Sequence, residues 1–182
     1  MKKYEFTGET MEKFGVTFLR IIALREIKQG DYVIAQKGET GGWIAEEKNL
    51  SQDGDAWVSG NARVYDNAQV SGDAWVSGDA RVSGNARVSG DAWVYGDAWV
   101  SGNARVINPT DILTVGPIGS RDATTTFFRD KSGGICVACG CFLGTLAEFA
   151  EKVTATHGDS KHAKAYRAAV ELAKIQIEEG QK

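Results

Sequence analysis

Ala56-Trp57-Val58-Ser59-Gly60-Asn61 is followed by Ala62-Arg63-Val64-Tyr65-Asp66-Asn67 and Ala68-Gln69-Val70-Ser71-Gly72-Asp73, and this six-residue period runs on to Ala104-Arg105-Val106. A repeat of such regularity decides the architecture before any single element is considered. Within each unit Ala and Val lie two apart. In an extended strand they share one face, and the Trp, Arg or Gln between them takes the other. One Ala–Val stripe is too thin to form a core alone. Stacked coils bury it, because each coil covers the last. The Gly-Asp and Gly-Asn pairs suit the corners, since these residue types tolerate positive φ. Weaker repetition at Ile44 and Leu50 on one side, and at Ile112 and Ile118 on the other, predicts a coil over 44–118.

If three hexads make one coil, residues 18 apart stack and share roles. Trp57, Trp75 and Trp93 then form one file, Asp55, Asp73 and Asp91 the adjoining corner, and Asn67, Asn85 and Asn103 a second corner. A plain six-residue period does not require like residues at multiples of 18, so their agreement favours three-sided coils.

These hexads resemble the hexapeptide-repeat family. The resemblance implies a mainly β fold, a left-handed parallel β-helix with three hexads per triangular coil, and a homotrimer as the assembly. The Gly sits one place later here than in the commonest family pattern. The stretch from Gly41-Gly42-Trp43-Ile44 through Asn49-Leu50-Ser51 to Gly54-Asp55-Ala56-Trp57-Val58 looks like repeat proteins carried by phages and prophages.

A stacked sheet exposes unpaired edges, so both ends need caps. Residues 1–43 are expected to form an N-terminal β cap, with a strand over Val16–Leu24 and a loop at 37–42. Residues 119–182 are expected to form the other cap. Thr124–Phe128 and Ile135–Val137 read as a hairpin around Lys131-Ser132-Gly133-Gly134. Thr145-Leu146-Ala147-Glu148 is a capping box that opens a helix, and Gly158 stops it. Ser160 suits the start of a second helix, with Ala163, Tyr166, Ala169, Val170, Ala173 and Ile177 turned inward. This hairpin and helix pair also looks like a module of phage proteins.

The composition narrows the function. The 182 residues carry a net charge of -3, which gives no general pull toward DNA or anionic membrane. No apolar run approaches the roughly 18 residues of a membrane span, and the start lacks the apolar core of a signal peptide. A cytoplasmic location is therefore expected, in the host if the chain is phage-encoded. The hexapeptide resemblance would allow an enzyme whose His acts as base or zinc ligand, but from Ser51 to Ile107 there is no His, Cys, Lys or Glu. No catalytic residue and no cofactor are expected on the coil, and the chain is read as not an enzyme. Cys136, Cys139 and Cys141 with His157 have the residue types of a zinc site. Strand alternation sets Cys136 opposite the other two thiols, so buried thiols are expected instead of a metal.

The outward files carry the candidate ligand chemistry. Trp57, Trp75 and Trp93 should recur at about 4.8 Å with Tyr95 beside them. A second side carries Arg63, Arg81 and Trp99, and a third Gln69, Arg87 and Arg105. Rings that stack on a base and guanidinium groups that grip phosphate fit a small nucleotide. The same residues also fit a subunit contact, where Trp and Arg are enriched. Four Arg face seven Asp over this stretch, so a long nucleic acid is disfavoured. Ser120 and Arg121, after Gly119, join the candidates as an anion-binding turn. Two readings stand: a non-catalytic binder that sequesters a small host nucleotide, and a structural or virion-associated assembly protein with no small ligand.

Overall fold

The computed structural model describes residues 2–178. Its body is a three-sided parallel β-solenoid built from two-residue rungs: β6 (Trp57–Val58), β7 (Arg63–Val64), β8 (Gln69–Val70), β9 (Trp75–Val76), β10 (Arg81–Val82), β11 (Arg87–Val88), β12 (Trp93–Val94), β13 (Trp99–Val100) and β14 (Arg105–Val106). Trp57 pairs with Trp75 and Trp75 with Trp93, in parallel and in register. Arg63, Arg81 and Trp99 form the second ladder, and Gln69, Arg87 and Arg105 the third. Every Ala and Val of the hexads from Ala56 to Val106 is at most 1 % exposed, so the interior is the stripe that the alternation requires.

The corners are as tight as the stacking. Gly78 has φ +69, and a Cβ there would meet the Gly96 nitrogen at 2.9 Å, so glycine sits on glycine from coil to coil. Asp66 takes the same left-handed backbone, and its carboxylate accepts from the Gly84 N–H at 3.0 Å. The Asn file forms a side-chain ladder, with Asn67 donating to Asn85 at 3.3 Å and Asn85 to Asn103 at 3.4 Å.

The N-terminal cap contains β1 (Tyr4–Lys13), β2 (Val16–Ala23), β3 (Ile27–Gln29), β4 (Tyr32–Ala35) and β5 (Thr40–Ile44). β5 is also the first rung of the Arg81 side: it pairs in parallel with β7 and antiparallel with β2. That side therefore continues into the β1–β2 hairpin as one six-stranded sheet, in the order β1-β2-β5-β7-β10-β13.

The chain leaves the solenoid earlier than its periodicity predicts. β15 (Ile112–Ile118) is not a further rung. It pairs antiparallel with β16 (Ala123–Arg129), which pairs with β17 (Ile135–Cys139), which pairs with β18 (Phe142–Thr145). The cause is the turn at Pro109–Asp111, where the Asp111 carboxylate accepts from the Ile107 and Asn108 N–H groups and turns the chain out of the coil. One face of the four-stranded sheet covers the solenoid end through Ile112, Phe128 and Ala138. The other, through Phe127, Ile135 and Val137, packs on α1 (Leu146–His157) and α2 (Lys161–Ala173). Thr145 and Ser160 cap the two helices with their hydroxyl oxygens. No helix among the described residues is long and apolar enough to cross a membrane.

Candidate ligand-binding site

The three outward files meet different surroundings. In the Trp75 ladder, Trp57 is 1 % exposed, Trp75 is half-buried and Trp93 is 43 % exposed. Trp57 was expected on the outside, but the N-terminal cap closes over it, with Tyr4, Ile27 and Ala35 in the same apolar cluster. Arg25 clamps this cover by donating to the Asp55 carboxylate and the Gly54 carbonyl. Trp57 is thus a core residue and is removed from the ligand candidates. Arg63 is removed likewise: it is 8 % exposed, with its guanidinium near the Phe14 ring of the β1–β2 hairpin. Trp75 stands edge-on to Trp93 at 5.9 Å and donates from its indole to the Ser59 hydroxyl at 2.9 Å. Tyr95 is exposed beside Trp93. Arg87 and Arg105 project from the third side, away from these rings, and the Arg105 Nη1 is buried there without a hydrogen-bond partner.

Four of the candidate residues come together elsewhere, where the Arg81 side of the solenoid meets the C-terminal sheet. The Arg81 guanidinium lies over the Trp99 ring at 5.4 Å. Both line a cleft of about 420 Å³ whose other walls are Asp97, Asp122, Thr124 and the Gly116-Pro117 turn. The Trp99 N–H donates to the Thr126 hydroxyl at 3.0 Å, which ties this last rung to the sheet. Ser120 and Arg121 line a second, more apolar cleft against Phe142, Phe149, Lys152, His157 and Tyr166. Ala123 and Gly140 belong to both clefts, and Arg121 Nη1 lies 3.4 Å from where a Cβ on Gly140 would stand. Arg81, Trp99, Ser120 and Arg121 thus border one corner in two lobes.

The floor of the second lobe is built from the sheet and both helices. The Tyr166 ring stands edge-on to Phe149 at 5.4 Å and tilts against His157 at 5.8 Å. Burial first, then contact with Cys139, pushes the Tyr166 hydroxyl up to about 12. The Gly119 turn is glycine by necessity, because a Cβ there would overlap the Tyr166 hydroxyl oxygen. Cys136 faces the solenoid, while Cys139 and Cys141 border this lobe. The three thiols cannot converge on one ion from opposite faces of a sheet, as the alternation requires.

Asp97, Asp122, Thr124 and Lys152 were not singled out by their sequence. Asp97 holds a corner place of the repeat, 18 residues after Asp79, and nothing in the period distinguishes it from the other corner carboxylates. Asp122, Thr124 and Lys152 reach the corner only because the antiparallel sheet and α1 fold beside the solenoid.

The comparisons agree with this architecture. The family model described as YdcK beta-solenoid repeat matches residues 56–72, 68–82 and 80–96. This chain is a repeat β-helix protein over that span, and the matched units coincide with the rungs from Trp57 to Val94. No curated protein matches the chain.

Proposed function

We propose that this is a non-catalytic binding protein that holds a small phosphate-bearing, base-containing ligand in the corner between the solenoid and the C-terminal sheet. The observation that carries this reading is the Arg81 guanidinium over the Trp99 ring in the wall of an open cleft, with Arg121 in the adjoining cleft, whose lining shares Gly140 with the first. A base stacks on Trp99, and the two guanidinium groups hold the phosphate; each stack contributes about 1–3 kcal/mol. Asp97 and Asp122 accept from ribose hydroxyls or from the amino groups of a base. Rigid walls favour capture, because little ordering entropy is lost on binding. The resemblance to phage-carried repeat proteins makes sequestration of a host nucleotide signal in the host cytoplasm the specific form of the proposal, with a homotrimer as the assembly.

Calorimetry against cyclic and ADP-ribose-derived nucleotides tests the reading. Binding should be saturable, the ligand should be recovered unaltered, and Trp99→Ala and Arg121→Ala should each weaken binding about tenfold or more without changing the oligomer. If no member of the panel binds, the proposal fails. The second reading, a structural or virion-associated assembly protein, then takes its place, favoured by the exposed rings of Trp93 and Tyr95.

A further inference from the structure

The solenoid ends differ in chemistry, and one of them is left incomplete. Each coil donates N–H groups to carbonyls of the next coil, as Arg63 does to Ala80 and Ser77 to Val94. The first coil is therefore left with free carbonyls and the last with free N–H groups. The N-terminal cap supplies donors to the first: Lys3 Nζ to Ala56, Asn49 Nδ2 to Ala68, and the Trp43 N–H to Ala62. The C-terminal module supplies acceptors to two sides of the last. Thr126 takes the Trp99 N–H, and Asp111 takes the Ile107 N–H.

Among the described residues the third side has no such cover: β12 pairs with β9 and with no strand beyond it. Among the described residues the Tyr95 N–H has no hydrogen-bond partner, whereas the equivalent Ser77 N–H one coil below donates to Val94 at 2.8 Å. Between this edge and β15 lies a slot of about 270 Å³, walled by Trp93, Tyr95, Pro109, Ile112, Leu113 and Gln176. Asp91 and Asp97, both exposed and without an ion pair among the described residues, stand at the two corners that flank the rung.

We infer that this slot is a binding site for an extended peptide segment of another protein, which adds to β12 as the missing rung. The edge offers a backbone donor at strand spacing, and strand addition is a general mode of peptide capture. The apolar wall of Ile112 and Leu113 accepts small apolar side chains at alternate positions. The flanking carboxylates select Lys or Arg at the two ends of the segment. A second copy of this chain does not fit as the occupant by end-to-end stacking, because its own first coil is already closed by the N-terminal cap. The slot opens on a different side from the Arg81–Trp99 cleft and shares neither Arg81 nor Trp99 with it, although Asp97, at the corner between the two sides, also lines that cleft.

The probe is an acetylated, amidated peptide, Lys-Ala-Thr-Val-Thr-Lys, titrated into the full chain and followed by amide shifts and hydrogen exchange. In the free protein the Tyr95 amide should exchange roughly a hundredfold faster than that of Ser77, and saturating peptide should slow it. Tyr95→Pro deletes the donor and should weaken binding about fivefold or more, the worth of one hydrogen bond, while Tyr95→Phe keeps the donor and should bind as the parent does. A peptide with Glu in place of both Lys should bind more weakly. Trp99→Ala should leave peptide binding unchanged, which separates this site from the corner cleft. The inference is overturned if the Tyr95 amide is already protected in the free protein, if no saturable binding occurs, or if Tyr95→Pro and Tyr95→Phe behave alike.

Discussion

The Lys3 ammonium donates to the Ala56 carbonyl at 2.6 Å and is fully buried under the first coil. A side chain here does the work of a strand: it satisfies a carbonyl that every later coil satisfies with backbone. The location also perturbs the amine. Burial above all, then the Arg25 cation, lowers its pKa from 10.5 to about 8, against the opposing pull of Asp55, Asp53 and Asp73.

From this follows a pH dependence with a definite sign. Between about pH 8 and 10.5 the unfolded chain binds a proton at Lys3 that the folded chain has released, so this residue makes stability rise with pH across that window. Below pH 8 the amine is charged in both states and contributes no slope. Chemical denaturation from pH 7 to 10 should show the parent gaining on Lys3→Met as pH rises. A constant difference between the two would refute the assignment.

The interior of the solenoid should tolerate loss of volume far better than gain of charge. Val82 is 0 % exposed between Val64 and Val100. Val82→Ala should leave a folded protein weaker by about 2 kcal/mol, whereas Val82→Asp buries a charge with no partner and should prevent cooperative folding. Circular dichroism with thermal melting distinguishes the two outcomes.

The junction of solenoid and C-terminal module depends on the Asp111–Arg129 pair. Their 2.8 Å contact is almost wholly shielded from water, and Arg129 also donates to the Ile177 carbonyl. Burial alone would raise the Asp111 pKa, but the hydrogen bonds from Arg129, Asn108 and Ile107 outweigh it and hold the pKa below the ordinary carboxylate value. The stabilisation is present above the pKa of the unfolded carboxyl and is lost as pH falls through the depressed folded value. Asp111→Asn should cost about 3 kcal/mol near neutrality by leaving Arg129 uncompensated, and should flatten the acid limb of the stability curve. An unchanged acid limb would place the titrating group elsewhere.

Much of the architecture is legible from the residues 56–106 alone. Strand alternation assigns Ala and Val to the inside, and agreement at 18 residues assigns three sides. Both are local rules that hold wherever the unit recurs, so Trp57, Trp75 and Trp93 stack as their spacing requires. Local rules fail where the repeat meets something that does not repeat. Trp57 and Trp93 occupy equivalent positions, yet one is core and the other surface, because the N-terminal cap covers the first coil alone. Ile112 and Ile118 keep the repeat spacing, but any even spacing also keeps residues on one face of an ordinary strand. The pattern therefore could not distinguish another rung from β15, in which a register shift after Val115 turns Ile118 toward the helices. The corner that joins Arg81 and Trp99 to Ser120 and Arg121, and the bare edge at Tyr95, arise from packing between segments far apart in the chain. Tertiary structure alone decides them, since which outward side chains and backbone donors meet water depends on where the caps end.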